Sequence, residues 1–264
     1  MTTAGPERRS AEQQFGEYAA NYRNSRTHVG GENLEIVERY VAKDGRHYNY
    51  GVDIATGAGF TAFAIAPFTD TVVATDLTSQ MLEQVKAIRE ERGVTNVERT
   101  RVAAESLPFK DTSLDLLTCR TAPHHFLDVS AWLSEVIRVL KPGGVFVLAD
   151  TTSPEEPEIA DWMNDVELRR DLSHIWNLSP SQWRAAVEKV GLEVTDWELC
   201  PVHLEFYDWT QRSGMPEADM QELRKDFQSA SPEVKAAFHI QPEVNGEFWF
   251  YWDAVIIRAV KPGA

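Results

Sequence analysis

The chain has 264 residues, of which 26 are basic and 41 are acidic, so its formal net charge is −15. This charge argues against a nucleic-acid partner, because proteins bind the phosphate backbone largely through cations that neutralise it. The two cysteines, Cys119 and Cys200, are too few for a disulfide framework or a cysteine zinc site. No apolar run approaches the ~18 residues of a membrane span, and no signal peptide opens the chain. We therefore expect a cytoplasmic protein without a membrane span.

An amphipathic helix is predicted near the N-terminus. Phe15, Tyr18 and Tyr22 recur at three- and four-residue spacing, which places their rings on one face of a helix. A polar segment that contains His28 follows, and a second helix is expected over about 32–41. From spacing alone, the aromatic stripe is more typical of packing against a core than of a ligand contact.

The next stretch carries the clearest binding signal. Residues 51–60 form a short apolar strand followed by a turn with Gly57 and Gly59, where the backbone can approach a ligand closely. A second apolar strand over 72–76 ends at Asp76, and an acidic residue there is typical of a partner for ribose hydroxyls. The sequence therefore predicts a nucleoside-type cofactor at the carboxyl ends of a parallel sheet.

Two cofactors fit this pattern. The spacing Gly57-x-Gly59-x-x-Ala62 satisfies the dinucleotide fingerprint, although a single match of this kind is weak evidence. Asp53, inside the strand before the turn, would repel a pyrophosphate but attract an ammonium group. A long helical-looking stretch precedes the turn, whereas dinucleotide fingerprints usually lie near the start of their domain. These features favour S-adenosylmethionine over a nicotinamide dinucleotide.

Strands and helices alternate through the middle of the chain. Strands are predicted over 97–102, 114–119 and 145–149, and a helix that begins after Asp128 and keeps Leu140 inward precedes the last of them. This spacing is typical of a parallel sheet built from right-handed crossovers. Because ligands bind beyond the carboxyl ends of such strands, four polar residues are expected around one crevice: Asp76, Glu105, Arg120 and Asp150.

The pattern changes in the C-terminal part. An inserted loop and helix are expected over about 151–180, before a helix with a capping-box sequence at Ser179 and a strand over 192–199. A second insert over about 205–245 precedes a long final strand over 248–257. The inserts should cover the substrate site, and their aromatic residues favour a flat or apolar acceptor, or a cation held over a ring.

Four motifs occur together in this order: Asp53-x-Ala-x-Gly-x-Gly59, Asp76-Leu77, Ala104-Glu-x-Leu-Pro-Phe109 and Arg138-Val-Leu-Lys-Pro-Gly-Gly144. They resemble the class I S-adenosylmethionine-dependent methyltransferases, in the type 11 group that includes the ubiquinone and menaquinone biosynthesis enzymes. The resemblance covers roughly residues 15–200. One position departs from it, because many relatives carry an aspartate where this chain has Ala103.

The resemblance implies an α/β fold, a Rossmann-like seven-stranded sheet with helices on both faces, an antiparallel last strand and helical inserts over the active site. Residues 1–44 would form an N-terminal helical lid and residues 45–264 the catalytic domain. The methionine end of the cofactor would lie on the glycine turn, the ribose on Asp76 and the adenine on Ala104 and Glu105. The expected cofactor-binding residues are Tyr22, Asp53, Ala55, Thr56, Gly57, Gly59, Asp76, Leu77, Met81, Ala104, Glu105 and Arg120.

Two adjacent histidines are the best catalytic candidates. His124 and His125 follow the fourth strand, in a loop that faces the transferred methyl group in the family it resembles. A histidine pKa near neutrality suits a general base, although both residues could instead only shape the loop. A lone histidine pair without a spaced carboxylate or cysteine is a poor chelate, so no metal is expected. The expected substrate contacts are Tyr18, His28, His174, Trp176 and Tyr207.

The sequence thus predicts methyl transfer from S-adenosylmethionine to a small molecule in a closed aromatic pocket, by direct displacement. The attacking atom is left open among oxygen, carbon, nitrogen and sulfur. Two other functions stay open at this point, a nicotinamide-dependent oxidoreductase and an accessory subunit that binds the cofactor without catalysis. A basic protein acceptor is a further possibility, and the chain is expected to be a monomer or a homodimer.

Overall fold

A computed structural model describes residues 8–23 and 30–263, with side chains for 8–19 and 30–263. His28 lies outside the described residues, and so does the side chain of Tyr22. The strands are β1 (Tyr48–Ile54), β2 (Thr69–Asp76), β3 (Val97–Arg101), β4 (Leu114–Arg120), β5 (Leu140–Thr152), β6 (Glu193–Glu205) and β7 (Trp249–Val260). They form one seven-stranded sheet in the order β3-β2-β1-β4-β5-β7-β6.

Helices connect and cover the strands. They are α1 (Ala11–Arg23), α2 (Glu32–Ala42), α3 (Phe60–Ile65), α4 (Ser79–Arg92), α5 (Val129–Val139), α6 (Pro157–Arg170), α7 (Pro180–Lys189), α8 (Phe206–Arg212), α9 (Glu217–Ser229) and α10 (Pro232–Ala237). Within the ranges that the structure describes, no helix is both long and apolar enough to cross a bilayer.

The sheet is parallel except at β7. Neighbouring strands from β3 to β5 run parallel, and β7 is antiparallel to both β5 and β6. The Rossmann-like α/β sheet and its antiparallel last strand are therefore confirmed. The carboxyl ends of β1, β2, β4 and β5 meet at one edge, where the loops that follow them converge.

Helices cover both faces of this sheet. Along β5, Val145 and Val147 pack into the layer that contains Val37 of α2, whereas Phe146 and Leu148 pack into the layer that contains α5 and α7. Because successive residues of a strand point to opposite faces, a strand covered on both sides is apolar throughout. The unbroken apolar run of β5 is thus explained by the two helical layers.

A third apolar cluster holds the C-terminal elements together. It joins α6, α8, α9 and α10 to the adjoining halves of β6 and β7, through buried rings that include Phe206, Trp209, Phe227, Phe250 and Trp252. The two stretches predicted as inserts therefore pack against each other, beside the carboxyl edge of the sheet.

Several local predictions are confirmed, and several boundaries differ. Asp128 accepts a hydrogen bond from the Ala131 N–H at 2.9 Å, and Ser179 forms the expected capping box. However, α5 ends at Val139, so Leu140 begins β5, because the following Pro142 and its two glycines do not continue a helix. Strands β6 and β7 are both longer than predicted, because each extends the hydrogen-bonded ladder of the other.

Candidate active site

A cavity of about 280 Å³ adjoins the glycine turn, at the carboxyl ends of β1, β2 and β4. We call it the outer cavity. Its wall contains most of the residues predicted to bind the cofactor, namely Ala55, Thr56, Gly57, Asp76, Leu77, Met81, Ala104, Glu105 and Arg120. The fold therefore brings together residues from the four loops that follow β1, β2, β3 and β4.

The turn after β1 is held in left-handed conformations. Ala55, Gly57 and Gly59 have φ values of 50°, 54° and 93°. A Cβ at Gly59 would lie 2.9 Å from the Phe63 ring and 3.1 Å from Val85, so this glycine is required for the turn to pack on α3 and α4. Ala55 adopts its conformation despite its side chain, and such strain is common at binding sites.

Asp76 fixes this turn to the end of β2. One carboxylate oxygen accepts a hydrogen bond from the Gly57 N–H at 2.9 Å and the other accepts one from the Thr78 N–H at 2.8 Å. Burial raises the pKa of Asp76 above its ordinary value. Because each carboxylate oxygen has more than one acceptor site, both can also accept hydrogen bonds from a ligand in the outer cavity.

Asp53 lies beneath the turn and does not line the outer cavity. Its side chain is 1% exposed, and it accepts hydrogen bonds from the hydroxyls of Thr56 (2.5 Å) and Thr118 (2.7 Å). Burial raises its pKa to about 6, against the lowering effect of the two hydroxyls. Thr56 belongs to the wall of the outer cavity, whereas Asp53 does not, so a direct contact between Asp53 and a ligand stays a prediction. Gly59 likewise contributes to the turn and not to the wall.

The first described residues close the outer cavity from above. Arg9, Ser10, Ala11 and Phe15 belong to its wall. The Arg9 N–H donates to the Leu172 carbonyl at 3.1 Å, which ties this segment to the loop after α6. The start of the chain and the first predicted insert therefore meet over the site.

A second, smaller cavity of about 80 Å³ lies next to the outer cavity, and we call it the inner chamber. Three residues belong to the walls of both: Phe15, Thr121 and His125. Polar groups of the inner chamber come from α6 and its neighbours, namely Asn33, His124, Glu167, Arg170, Asp171 and Arg212. Its remaining wall includes Trp209 and Trp252.

His124 faces the inner chamber and is fixed by Asp150, at the end of β5. The ring Nδ1 lies 2.7 Å from one carboxylate oxygen, and the backbone N–H donates to the other at 3.0 Å. A carboxylate only accepts, so Nδ1 carries the proton in the neutral ring and Nε2 has a free lone pair. Burial lowers the pKa of His124, but the Asp150 carboxylate outweighs it and raises the pKa above 6.5.

His125 is oriented through Ser173. The Ser173 hydroxyl donates to Asp171 at 2.6 Å and lies 3.1 Å from Nδ1 of His125. Burial and the neighbouring His124 ring lower the pKa of His125 to about 3, so this ring is neutral at physiological pH. The pKa values of the two histidines are thus shifted in opposite directions.

The predicted substrate contacts on described side chains lie elsewhere. His174 is buried, and its Nε2 lies 2.9 Å from Oδ1 of Asn164. Tyr18, on α1, packs beside Met81. Trp176 is 42% exposed, and the Tyr207 ring packs against Phe206. None of these four belongs to the wall of either cavity.

Sequence reasoning missed Glu167, Arg170 and Ser173. A signal for Glu167 was present, since it lies four residues after Met163, which is fully buried on the same helix. A charged residue in phase with an apolar helix face is unusual and indicates either a buried pair or a site.

The comparisons with known proteins agree with this geometry. A family model described as a methyltransferase domain matches residues 52–148. The chain is 34% identical over 248 residues to the uncharacterized methyltransferase YcgJ of Bacillus subtilis, covering 94% of this chain and 97% of that protein. It is 36% identical over 203 residues to the uncharacterized protein YafE of Escherichia coli, covering 77% of this chain and 96% of that protein.

Solved structures extend the likeness to the whole fold. The crystal structure of YcgJ matches with a TM-score of 0.82 and 33% identity, over 88% of this chain and 99% of that one. A phosphoethanolamine N-methyltransferase of Haemonchus contortus, solved with phosphomonomethylethanolamine and S-adenosylhomocysteine, shares the fold with a TM-score of 0.65. Its identity is 17%, over 96% of this chain and 59% of that one. With the motifs and the sheet order, these matches identify the chain as a member of the class I S-adenosylmethionine-dependent methyltransferases.

Proposed function

We propose that this protein transfers a methyl group from S-adenosylmethionine in the outer cavity to a small molecule in the inner chamber, with His124 as the general base. The observation that carries the proposal is the shared wall. Phe15, Thr121 and His125 border both cavities, while His124 belongs to the wall of the inner chamber alone. The donor and the acceptor would thus lie in adjacent cavities that share these three side chains.

The outer cavity fits the cofactor in shape and in chemistry. The left-handed turn at Gly57 leaves backbone at the cavity wall, where a methionine end can approach closely. Asp76 would hold the ribose hydroxyls, and Ala104, Glu105 and Met81 would surround the adenine. When bound, S-adenosylmethionine supplies an activated methyl group on a sulfonium sulfur. The Haemonchus structure, solved with S-adenosylhomocysteine, supports the same assignment.

The proton chemistry falls to His124. Asp150 holds its ring in the tautomer that leaves Nε2 unprotonated, which is the form that accepts a proton from an acceptor group. His125 is a much weaker base because of its low pKa. We assign it to positioning, since it stands between the two cavities.

Closure of the site is assigned to the N-terminal segment and the first insert. Holding two reactants at near-attack distance contributes about 7–11 kcal/mol in well-oriented systems, and it requires that water be excluded. Residues Arg9 and Phe15 cover the outer cavity, and Arg9 is bonded to the loop at Leu172. We propose that this contact opens when the cofactor exchanges.

The first test is calorimetric titration with S-adenosylmethionine, S-adenosylhomocysteine and NADH in parallel. Micromolar binding of the two sulfur nucleosides alone is expected. Binding of NADH alone would instead support an oxidoreductase. An acceptor screen that follows the mass of a transferred methyl group would then separate an enzyme from a subunit that binds the cofactor without turnover.

A further inference from the structure

Glu167 presents a buried carboxylate to the inner chamber. Its side chain is 9% exposed, and among the described residues the Trp252 side chain is its hydrogen-bonding neighbour. Nη1 of Arg170 lies 3.8 Å from the Glu167 carboxylate. A charge-assisted hydrogen bond in a paired buried carboxylate is normally about 2.7–2.9 Å, so this ion pair leaves the acceptor capacity of Glu167 largely unused.

Two carboxylates and two guanidinium groups line the chamber: Glu167, Asp171, Arg170 and Arg212. Arg170 lies 3.8 Å from Glu167 and 3.7 Å from Asp171, and Arg212 lies 3.4 Å from Asp208. An ammonium or carboxylate group that entered would introduce a further charge into a buried, already compensated set, and an unpaired buried charge is costly. The chamber therefore favours a neutral molecule.

The open groups of the chamber accept hydrogen bonds. Glu167 offers carboxylate oxygens, and Nε2 of His124 offers a lone pair when the ring is neutral. A ligand that forms hydrogen bonds with both Glu167 and His124 must carry two hydrogen-bond donors. The chamber measures about 80 Å³, so these two donors have to lie close together on a small molecular skeleton.

Resting on the function proposed above, we infer that the inner chamber selects a neutral acceptor with two neighbouring hydroxyl groups. One hydroxyl faces His124, which takes its proton, and the second donates to Glu167. A neutral amine would need no base, whereas a hydroxyl becomes a strong nucleophile only as its proton leaves. The His124–Asp150 arrangement therefore fits an oxygen acceptor. Glu167 is a specificity-determining residue in this assignment.

The test uses the full chain saturated with S-adenosylhomocysteine and a panel of small probes. The probes are benzene-1,2-diol, cyclohexane-1,2-diol, 2-methoxyphenol, benzoate and benzylamine, each titrated by calorimetry. We expect at least one diol to bind, and the methoxyphenol to bind less tightly than benzene-1,2-diol because it has lost one donor. Tighter binding of benzoate or benzylamine than of either diol would overturn the inference, and so would failure of both diols to bind.

Glu167→Gln keeps the size of the side chain and removes its charge. We expect the diol Kd to weaken roughly tenfold, the usual difference between a charged and a neutral hydrogen-bond acceptor. Glu158→Gln on the same helix is the control, since Glu158 is exposed. Diol affinity unchanged in Glu167→Gln would remove Glu167 from the site. The wild type, Glu167→Gln and Glu158→Gln should bind S-adenosylhomocysteine with equal affinity. If the wild type does not bind S-adenosylhomocysteine, the proposed function itself is refuted.

Discussion

His124 is bonded twice to one carboxylate, that of Asp150. Its ring Nδ1 and its backbone nitrogen lie 2.7 Å and 3.0 Å from the two oxygens. The carboxylate, at the end of β5, is fully buried, so the loop after β4 is held to the neighbouring strand by the same contact that sets the tautomer of the ring. Asp150 therefore fixes both the position of His124 and the tautomer of its ring.

Asp150→Asn should reduce kcat by about 10²-fold or more, the usual contribution of a general base. The amide cannot stabilise the protonated ring, and its NH₂ group can force the proton onto Nε2. The affinity for S-adenosylhomocysteine should stay within about twofold, because Asp150 does not line the outer cavity.

The matched control for that variant is Asp70→Asn. Asp70 also pairs with a histidine, His47 at 2.8 Å, but both side chains are more than half exposed. Exposed pairs contribute little to stability, and this one is remote from both cavities. Full activity in Asp150→Asn would remove His124 from the role of base.

The pH dependence of kcat/KM should show one ascending limb above pH 6.5. The base must be unprotonated, and the Asp150 carboxylate raises the pKa of His124 by stabilising the protonated ring. Activity is therefore lost as the pH falls through that raised pKa. In Asp150→Asn the ascending limb of the remaining activity should move to lower pH, because the ring has lost the carboxylate that raises its pKa. A profile that is flat around neutrality would contradict the assignment.

Asp76→Ala should weaken S-adenosylhomocysteine binding by about 10–100-fold, as expected when a charged hydrogen-bond acceptor is lost. It also leaves the N–H groups of Gly57 and Thr78 without their partner, so some stability is lost as well.

Asp128→Ala separates the loss of stability from the loss of the ligand contact. Asp128 also accepts from a backbone N–H, that of Ala131, but it does not line the outer cavity. Losing such a cap costs about 1 kcal/mol, which thermal unfolding would show. Calorimetry should find its cofactor affinity unchanged. Equal affinities in both variants would rule out the ribose contact.

Gly59→Ala should lower the melting temperature more than Gly93→Ala. Both glycines are left-handed, with φ of 93° and 65°, so both alanines pay the backbone penalty of roughly 1 kcal/mol. Only at Gly59 does the new Cβ meet other side chains, at 2.9 Å from Phe63, whereas nothing lies within 4 Å at Gly93. Differential scanning calorimetry on the pair gives the comparison, and equal melting temperatures would show that α3 shifts to make room.

Sequence reasoning located the outer cavity because its residues follow strands. Asp76 ends β2 and Arg120 ends β4, and the carboxyl ends of parallel strands share one edge whatever the helices do. The inner chamber was not located in this way. Much of its wall comes from α2, α6, α8, β6 and β7, and nothing in the local pattern at Trp176 or Tyr207 indicates which surface of the protein those rings meet.

The sequence alone determined the elements of the sheet, the glycine turn and the family, since these depend on short-range periodicity, turn chemistry and residue order. Only the tertiary structure decided that Asp53 supports the turn from below, that Asp150 orients His124, and that Glu167 opens into a chamber. These relationships join residues that are distant in the chain, and they depend on packing between layers, which no local preference encodes.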